Sequence, residues 1–270
     1  MSTEVAMRRR CAGVLAVFAA ACSRGVQPDP ALHMVAIPPG TFVMGSNDGE
    51  ADEKPAHPVT LTRPFWIGKY EVTQAQYQAV TAKNPSLFQG AEAPDAPQRP
   101  VETVSWDDAM AYCKSLTANE QAAGRVPEGY QYRLPTEAEW EYCCRAGTTT
   151  PWHTGANLEP GQANFGGARE CDACPDGQTA AVGNYPANAW CLHDMHGNVW
   201  EWCLDSYGPY APASVDPFVT GGANRVVRGG SWYSLLSAAH CRSAFRYSIT
   251  PDSADILVGF RVVLAPVLVP

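Results

Sequence analysis

The sequence is poor in positive charge. Its 270 residues include 19 lysines and arginines against 27 aspartates and glutamates, which gives a formal net charge of −8. Beyond residues 8–10 it has no run of basic residues. Domains that bind nucleic acids usually carry a basic patch, so this composition argues against a nucleic-acid partner. An internal repeat, a P-loop and a dinucleotide-binding motif are also missing, which argues against solenoid and nucleotide-binding folds.

The N-terminal apolar stretch is too short for a permanent membrane span. Residues 11–21 are apolar, follow basic residues 8–10 and end in small residues before Cys22. This arrangement is typical of a signal peptide, and its end resembles the cleavage site of bacterial lipoproteins. We therefore expect a signal peptide at residues 1–22, acylation of Cys22 and a tether at residues 23–32. The protein would be an exported cell-envelope lipoprotein of the periplasm or outer membrane, in contact with the membrane only through its lipid anchor. Plain secretion is the alternative.

Export to an oxidising compartment changes the state expected of the cysteines. The sequence has 10 cysteines, of which eight follow Cys22. An even number in an oxidising compartment favours disulfides. Cys171 and Cys174 lie in a loop, where a local bridge and a bridge to Cys191 are both compatible with the spacing. A zinc site would need a second pair of this kind, and none is convincing.

Short capped helices and many short strands predict a loop-rich α+β fold. The sequence contains 23 glycines and 23 prolines. Ser105 caps a helix predicted at residues 106–123, and Thr136 and Thr73 open two shorter helices as capping boxes. Residues 33–46 alternate apolar and polar side chains around two prolines, which predicts a hairpin-like start.

Several charged side chains call for a structural role. The helix after Thr136 carries three acidic residues, Glu137, Glu139 and Glu141. We expect them to cap the helix and to line a solvated face rather than to act as acids or bases. Three arginines stand in otherwise apolar segments: Arg242, Arg246 and Arg261. A buried guanidinium needs a partner, so we expect internal pairing, with Glu141 or Asp194 as candidates.

The most distinctive stretch is residues 192–203, which read LHDMHGNVWEWC. Asp194, Gly197, Val199 and Glu201 stand at positions i, i+3, i+5 and i+7, so two carboxylates bracket a turn that presents backbone carbonyls. Ca²⁺ takes this mixture of oxygen ligands. The alternative is a Gly-Asn turn that enters an edge strand with its two tryptophans on one face.

The GNVWEW segment resembles the signature of the formylglycine-generating-enzyme, or sulfatase-modifying-factor, family. Four further stretches agree with that family in order: residues 34–46, 70–77, 133–147 and 225–263. The resemblance implies a single irregular, loop-rich domain of C-type-lectin-like topology at residues 33–266. It also implies a second Ca²⁺ site, carried over to Asn164, Phe165, Asp176 and Gln178, with Asp172 as an alternative to Asp176.

The resemblance also defines where catalytic residues should be. Oxidases of this family use two cysteines, five residues apart, just after a Gly-Gly-Ser motif. Here that motif is Gly229, Gly230 and Ser231, and Trp232 completes the turn. The first cysteine position falls on Ser234 when counted forward from Ser231, and on Tyr233 when counted back from residues 250–253. The second falls on Ala238 or Ala239. Neither register supplies a thiol, so bound Cu⁺ is not expected.

The nearest thiol is that of Cys241. We expect it to form a disulfide with Cys203. The alternative is a relocated copper or iron site that joins Cys241 to Cys203, His193 or His196.

The sequence thus predicts a calcium-stabilised member of this family that lacks the oxidase cysteines and serves as a binding or accessory module for a protein or glycan ligand. Two alternatives remain. One is a formylglycine-generating oxidase that matures sulfatases, and the other is a different metal-dependent oxidoreductase on the same scaffold.

Overall fold

The computed structural model describes residues 26–166, 177–210, 213–233 and 238–268. The predictions for the signal peptide, Cys22, the loop with Cys171 and Cys174, Asp176 and Ser234 concern residues outside these ranges. Asp29 accepts a hydrogen bond from the backbone N–H of Ala31 and pairs with Arg125. The segment predicted as a tether therefore contacts the domain from Asp29 onward.

The first sheet joins distant parts of the chain. Its strand order is β1 (Met34–Ile37), β4 (Phe65–Gly68), β11 (Val263–Pro266) and β5 (Tyr130–Arg133), and every pair is antiparallel. The C-terminal strand thus lies between two strands from the first half of the chain. The pairing of β11 with β4 and β5 therefore brings residues near both ends of the domain into one core.

The second sheet contains the distinctive stretch. Its order is β10 (Val258–Gly259), β6 (Trp200–Ser206), β8 (Arg225–Arg228) and β9 (Arg246–Ile249). β6 pairs with β10 in parallel and with β8 in antiparallel orientation. β6 is therefore an interior strand, and the alternative of an edge strand is wrong. Six of its seven residues are buried, including the polar residues Glu201, Asp205 and Ser206.

The third sheet corrects the predicted hairpin. Its order is β2 (Gly40–Met44), β3 (His57–Leu61) and β7 (Ser214–Val215). β1 pairs with β4 and β2 pairs with β3, so β1 and β2 belong to different sheets. Pro38 and Pro39 separate them. A proline has no N–H to donate within a sheet, and it favours an extended conformation in the residue before it. The chain therefore passes from one sheet to the next instead of turning back in a hairpin.

The three predicted helices form: α1 (Gln74–Thr81), α2 (Trp106–Ala122) and α3 (Glu137–Arg145). Each has a complete capping box, in which the cap side chain and the side chain three residues on exchange hydrogen bonds with the backbone. Such a cap contributes about 1 kcal/mol. None of the helices in the described ranges is long and apolar enough to cross a membrane.

The helix α3 is buried along its whole length, so the solvated face predicted for its glutamates is wrong. Glu139 caps the helix, as predicted, and pairs with Arg133. Glu137 pairs with Arg246, and Glu141 pairs with Arg145 and Arg228. The expectation of internal arginine pairs is confirmed, although their partners differ. Arg242 pairs with Glu53, whose side chain is fully buried.

Most of the cysteines in the described ranges are free thiols. Cys113, Cys143, Cys144, Cys203 and Cys241 are buried and are not in disulfides. Cys191 is disulfide-bonded, and its partner lies outside the described residues. Cysteine pairing in this part of the chain thus contributes less to the fold than the export prediction suggested.

Candidate functional site

The turn before β6 has an unusual backbone. Asp194, Gly197 and Asn198 have φ angles of 58°, 80° and 63°. A Cβ atom on Gly197 would lie 2.2 Å from the carbonyl oxygen of Asn164, and the backbone N–H of Gly197 donates to the carbonyl of Gly229 at 2.8 Å. Only glycine fits this close approach. The turn is thus pressed against two other segments of the predicted site.

Asn198 connects these segments. Its backbone N–H donates to the carbonyl of Asn164, and its own carbonyl accepts from the N–H of Trp232, both at 2.8 Å. Its side-chain oxygen accepts from Asn164 at 3.2 Å and from the N–H of Ala180 at 2.9 Å. Its Nδ2 donates to Glu71 at 2.6 Å. The backbone and side chain of one buried residue therefore join both predicted calcium-binding segments to the Gly-Gly-Ser turn.

Glu201 is held by other protein groups. Arg261 donates to both of its carboxylate oxygens at 2.6 Å, and the indole N–H of Trp140 donates to Oε2 at 2.7 Å. The carboxylate is fully buried. Its negative charge is thus already compensated, which the sequence pattern did not anticipate.

Three buried carboxyl groups interact electrostatically with a single guanidinium. Glu71, Asp194 and Glu201 all interact with Arg261. Burial, followed by repulsion from Asp194 and Glu201, raises the pKa of Glu71 well above its usual value. Burial also raises the pKa of Asp194 to about 6, although the N–H of Gly183 and Arg261 oppose the rise. The cluster is short of positive charge.

This chemistry suits calcium in part. Ca²⁺ binds carboxylate and carbonyl oxygens and would supply the missing charge. Within the described ranges, however, no three Asp, Glu, His or Cys side chains converge in an arrangement that holds a metal ion. A bound ion would therefore need the turn carbonyls of Gly197 and Val199 beside Asp194. Glu201 fits less well, because Arg261 and Trp140 already use its oxygens.

The second predicted calcium set is adjacent to the first. Asn164 Nδ2 donates to the carbonyl of Gln178 at 3.1 Å, and Asn164 forms an isolated bridge with Gly197. Phe165 follows Asn164 directly, whereas Asp176 and the alternative Asp172 are not among the described residues. The structure thus brings Asn164 and Gln178 together.

The Gly-Gly-Ser turn packs against Cys241. Gly229 and Gly230 have φ angles of 95° and 78°, and a Cβ atom on Gly230 would lie 2.5 Å from Cys241 Sγ. The backbone of Gly230 therefore approaches Cys241 more closely than a residue with a side chain could. Ala238 and Ala239, the two candidates for the second cysteine position, lie in a short 3-10 helix, Ala238–Cys241. In this segment the side chains at the expected position are methyl groups.

The predicted disulfide between Cys203 and Cys241 is wrong. Cys203 packs in the core cluster around Trp140, whereas Cys241 packs with Trp152 in a separate cluster. Both cysteines are thiols. The backbone of Gly230, and not Cys203, lies against the sulfur of Cys241.

The alternative metal site at Cys241 is not assembled either. His196 Nδ1 bonds to the backbone carbonyl of Cys241 at 2.7 Å, and its Nε2 accepts from the N–H of His153 at 3.1 Å. Burial, followed by repulsion from His153, lowers the pKa of His196 to about 3, so the ring is neutral. His193 bonds to the carbonyl of Tyr185 instead. Both histidines are thus engaged by backbone groups.

The sequence pattern missed Glu71 and Asn198. Glu71 stands beside Val72 in the stretch YEVTQAQY and is 1% exposed, and Asn198 follows the glycine of the turn. An acidic residue next to buried apolar residues was the available signal for Glu71. Its contact with the turn could not be read from the chain, because 127 positions separate Glu71 from Asn198.

Comparison with known proteins agrees with these motifs. Residues 20–266 match the family described as "Sulfatase-modifying factor enzyme 1-like domain". The chain is 34% identical to the formylglycine-generating enzyme of Streptomyces coelicolor, over 92% of this chain and 96% of that protein. Its fold is similar to that of Treponema denticola variable protein 1, with a TM-score of 0.75 and 30% identity over 86% of this chain and 95% of the other. It is also similar to PvdO from Pseudomonas aeruginosa, with a TM-score of 0.70 and 28% identity over 86% and 93% of the two chains.

The five sequence stretches, the mixed helix-and-sheet domain and these similarities agree. The chain therefore belongs to the sulfatase-modifying-factor, or formylglycine-generating-enzyme-like, domain family.

Proposed function

We propose that the protein is an exported, calcium-stabilised binding or accessory module that lacks the oxidase chemistry of its family. The observation that carries this proposal is the pair of alanines, Ala238 and Ala239, at the expected second cysteine position. A methyl group neither binds Cu⁺ nor takes part in thiol redox chemistry. Without that thiol, the copper-dependent oxidation has no second sulfur ligand.

The neighbouring thiols offer poor substitutes. Cys241 is fully buried, and its sulfur lies against the backbone of Gly230. Cys144 is also fully buried, and burial raises the pKa of its thiol to about 12. The thiolate is the form that binds metals and attacks disulfides, so such a thiol is inert near neutral pH.

Formylglycine-generating activity is the second candidate function. The 34% identity to the Streptomyces coelicolor enzyme over nearly the whole chain favours it. It would require the cysteine pair to lie at other positions, or Cys241 to substitute for one of the two missing cysteines. A different metal-dependent oxidoreductase would require a ligand set that the described residues do not assemble.

An oxidase assay separates the candidates. Purified protein loaded with Cu⁺ would be incubated with a peptide that carries Cys-x-Pro-x-Arg, and mass spectrometry would detect the aldehyde product. We expect no product from the wild type. Product at an enzyme-like rate, lost in the Cys241→Ser variant, would overturn the proposal in favour of the oxidase.

Restoring the cysteine pair supplies a matched control. The Ser234→Cys/Ala239→Cys variant tests the five-residue spacing, and Ser234→Cys/Ala238→Cys tests a spacing that is one residue shorter. Copper binding by the first variant alone would support the assignment of the lost positions. Equal copper binding by the wild type would contradict it.

The proposed export and lipid anchor have their own test. The wild type and a Cys22→Ser variant would be expressed in a bacterium with labelled fatty acid, followed by cell fractionation. We expect label and membrane-fraction protein for the wild type and neither for the variant. Unlabelled wild type in the medium would instead support plain secretion.

A further inference from the structure

The strand β9 leaves one edge of the second sheet open. Within the described part of the chain it pairs with β8 alone, from the register Arg225 with Ile249 to Arg228 with Arg246. Half of the backbone N–H and C=O groups of β9 therefore point away from the sheet. None of these groups has a backbone partner among the described residues outside that pairing. Such an edge is complementary to another extended chain.

Helices contact two of the other edge strands, β5 and β2. On β5, the N–H and carbonyl of Tyr132 both bond to the hydroxyl of Thr117 in α2, at 3.0 and 3.2 Å. The strand β2 lies against α3, where Gly40 faces the Tyr142 hydroxyl and the N–H of Gly45 donates to Glu141. On β9, Tyr247 in the middle of the strand is an aromatic side chain that is 55% exposed.

Aromatic rings continue from Tyr247 across the sheet. We call this set the aromatic shelf, and its members are Trp200, His240, Phe245 and Tyr247. The ring centroid of Trp200 lies 5.9 Å from that of Tyr247 and 6.0 Å from that of Phe245. The Phe245 and His240 centroids are 4.9 Å apart. The shelf is thus a continuous aromatic surface beside the open edge.

The shelf is held rigidly from behind. Arg228 donates to the carbonyl oxygens of Ser243, Ala244 and Phe245 at 2.7, 2.9 and 2.6 Å. Arg242 forms two hydrogen bonds of 2.7 Å with Glu53. A preformed surface loses little conformational entropy when a partner binds. The charges of this region are also already paired, so a partner would be recognised by backbone and apolar contacts.

We propose that β9 and the aromatic shelf bind an extended polypeptide segment, which adds as a fifth strand to the second sheet and places apolar side chains on the shelf. A glycan or lipid cannot match alternating N–H and C=O groups along a strand, whereas a polypeptide backbone does. This inference rests on the proposed binding role and names the class of partner.

The test uses the whole protein and a random dodecapeptide display library. Peptides selected on the wild type would be synthesised, their affinities measured by fluorescence polarisation, and backbone amide exchange followed in the complex. We expect slower exchange at residues 246–249 on binding. Tyr247→Ala should weaken binding at least about tenfold, the scale of a buried aromatic anchor. Tyr233→Ala removes another exposed tyrosine, 49% exposed, outside the shelf and should leave affinity unchanged.

The contrary outcomes are distinct. Failure to enrich any peptide, protection confined to other strands, or equal sensitivity to Tyr233→Ala would overturn the inference. Binding to a glycan array that Tyr247→Ala abolishes would overturn the choice of a polypeptide partner. Aldehyde formation in the oxidase assay, with peptide binding at β9 intact, would overturn the proposed function and leave this inference standing.

Discussion

Arg261 holds the buried carboxylate of Glu201 with two hydrogen bonds of 2.6 Å. The same guanidinium donates to the carbonyl oxygens of Gly68 and His193 at 3.1 Å. It thereby connects β4 of the first sheet with the turn that leads into β6 of the second. The acidic residue of the family signature is thus the counterion of an arginine that stands 60 positions later in the chain.

Removing Arg261 should strongly destabilise the fold. Arg261→Met leaves Glu201 as a buried, unpaired charge, which costs about 3–5 kcal/mol. Urea unfolding at pH 7 would measure this change in the free energy of unfolding. The double variant Arg261→Met/Glu201→Gln should recover part of it. Arg125→Met breaks a partly exposed pair with Glu120 and should have a much smaller effect. Equal effects of Arg261→Met and Arg125→Met would contradict the importance of the buried pair.

Gly197 should tolerate no side chain. Gly197→Ala places a Cβ atom 2.2 Å from the Asn164 carbonyl at a φ of 80°. The backbone conformation alone costs about 1–2 kcal/mol, and the clash adds to it. Gly124 has a φ of 69° and nothing within 4 Å of an added Cβ, so Gly124→Ala isolates the conformational part. The melting temperature of Gly197→Ala should be clearly lower than that of Gly124→Ala. Similar values would show that the Asn164 contact is not tight.

Calcium should stabilise the protein through Asp194. At a free calcium concentration of 100 times the dissociation constant, the gain is about 2.7 kcal/mol by mass action. Differential scanning fluorimetry should therefore show a higher melting temperature with calcium than with chelator. Asp194→Ala should abolish the calcium response, whereas Asp48→Ala, in an exposed loop, should retain it. If chelation lowered the melting temperature of Asp194→Ala as much as that of the wild type, the calcium proposal would fail.

Acid should destabilise the protein through His196. Its folded-state pKa is about 3, because burial disfavours the charged ring, whereas the unfolded pKa is about 6.5. The contribution of the neutral ring to the free energy of unfolding is fully present above pH 6.5 and is lost as the pH falls toward 3. The loss is about 1.4 kcal/mol per pH unit, or roughly 2 kcal/mol between pH 6.5 and 5.

A second buried group acts in the opposite direction. Burial raises the pKa of Asp205 to about 7, so its folded form retains a proton that the unfolded chain loses. Its contribution to the free energy of unfolding is present at low pH and is lost as the pH rises toward 7.

The contribution of His196 must therefore be separated from that of Asp205. The measurement is the difference in the free energy of urea unfolding between the wild type and His196→Gln, at pH 6.5 and at pH 5. An unchanged difference would mean that His196 does not titrate on unfolding.

Local sequence signals predicted the helices and their ends well. Thr73, Ser105 and Thr136 cap the three helices, and each receives the hydrogen bonds expected of its spacing. Capping depends on residues three positions apart, so the chain alone contains the information. The same holds for Gly197 and Asn198, whose backbone conformation favours these residue types.

Burial of charge could not be predicted in this way. Glu137 and Glu141 looked like exposed helix residues, because their counterions Arg246 and Arg228 are 109 and 87 positions away. An acidic side chain on a helix can be buried only where it has a partner, and here both partners lie in strands of the second sheet. The disulfide predicted between Cys203 and Cys241 failed for a related reason, since the two thiols lie in separate clusters.

The amino-acid sequence alone determined the family, the helix caps, the turn before β6 and the absence of a thiol at positions 238 and 239. These depend on residue identity and on short spacings. Only the tertiary structure decided that Glu201 pairs with Arg261, that Asn198 bonds Glu71 and that β9 ends a sheet. Those relationships join residues that are far apart in the chain. The local sequence favours none of the possible partners over the others, and the packing of the buried core decides which of them pair.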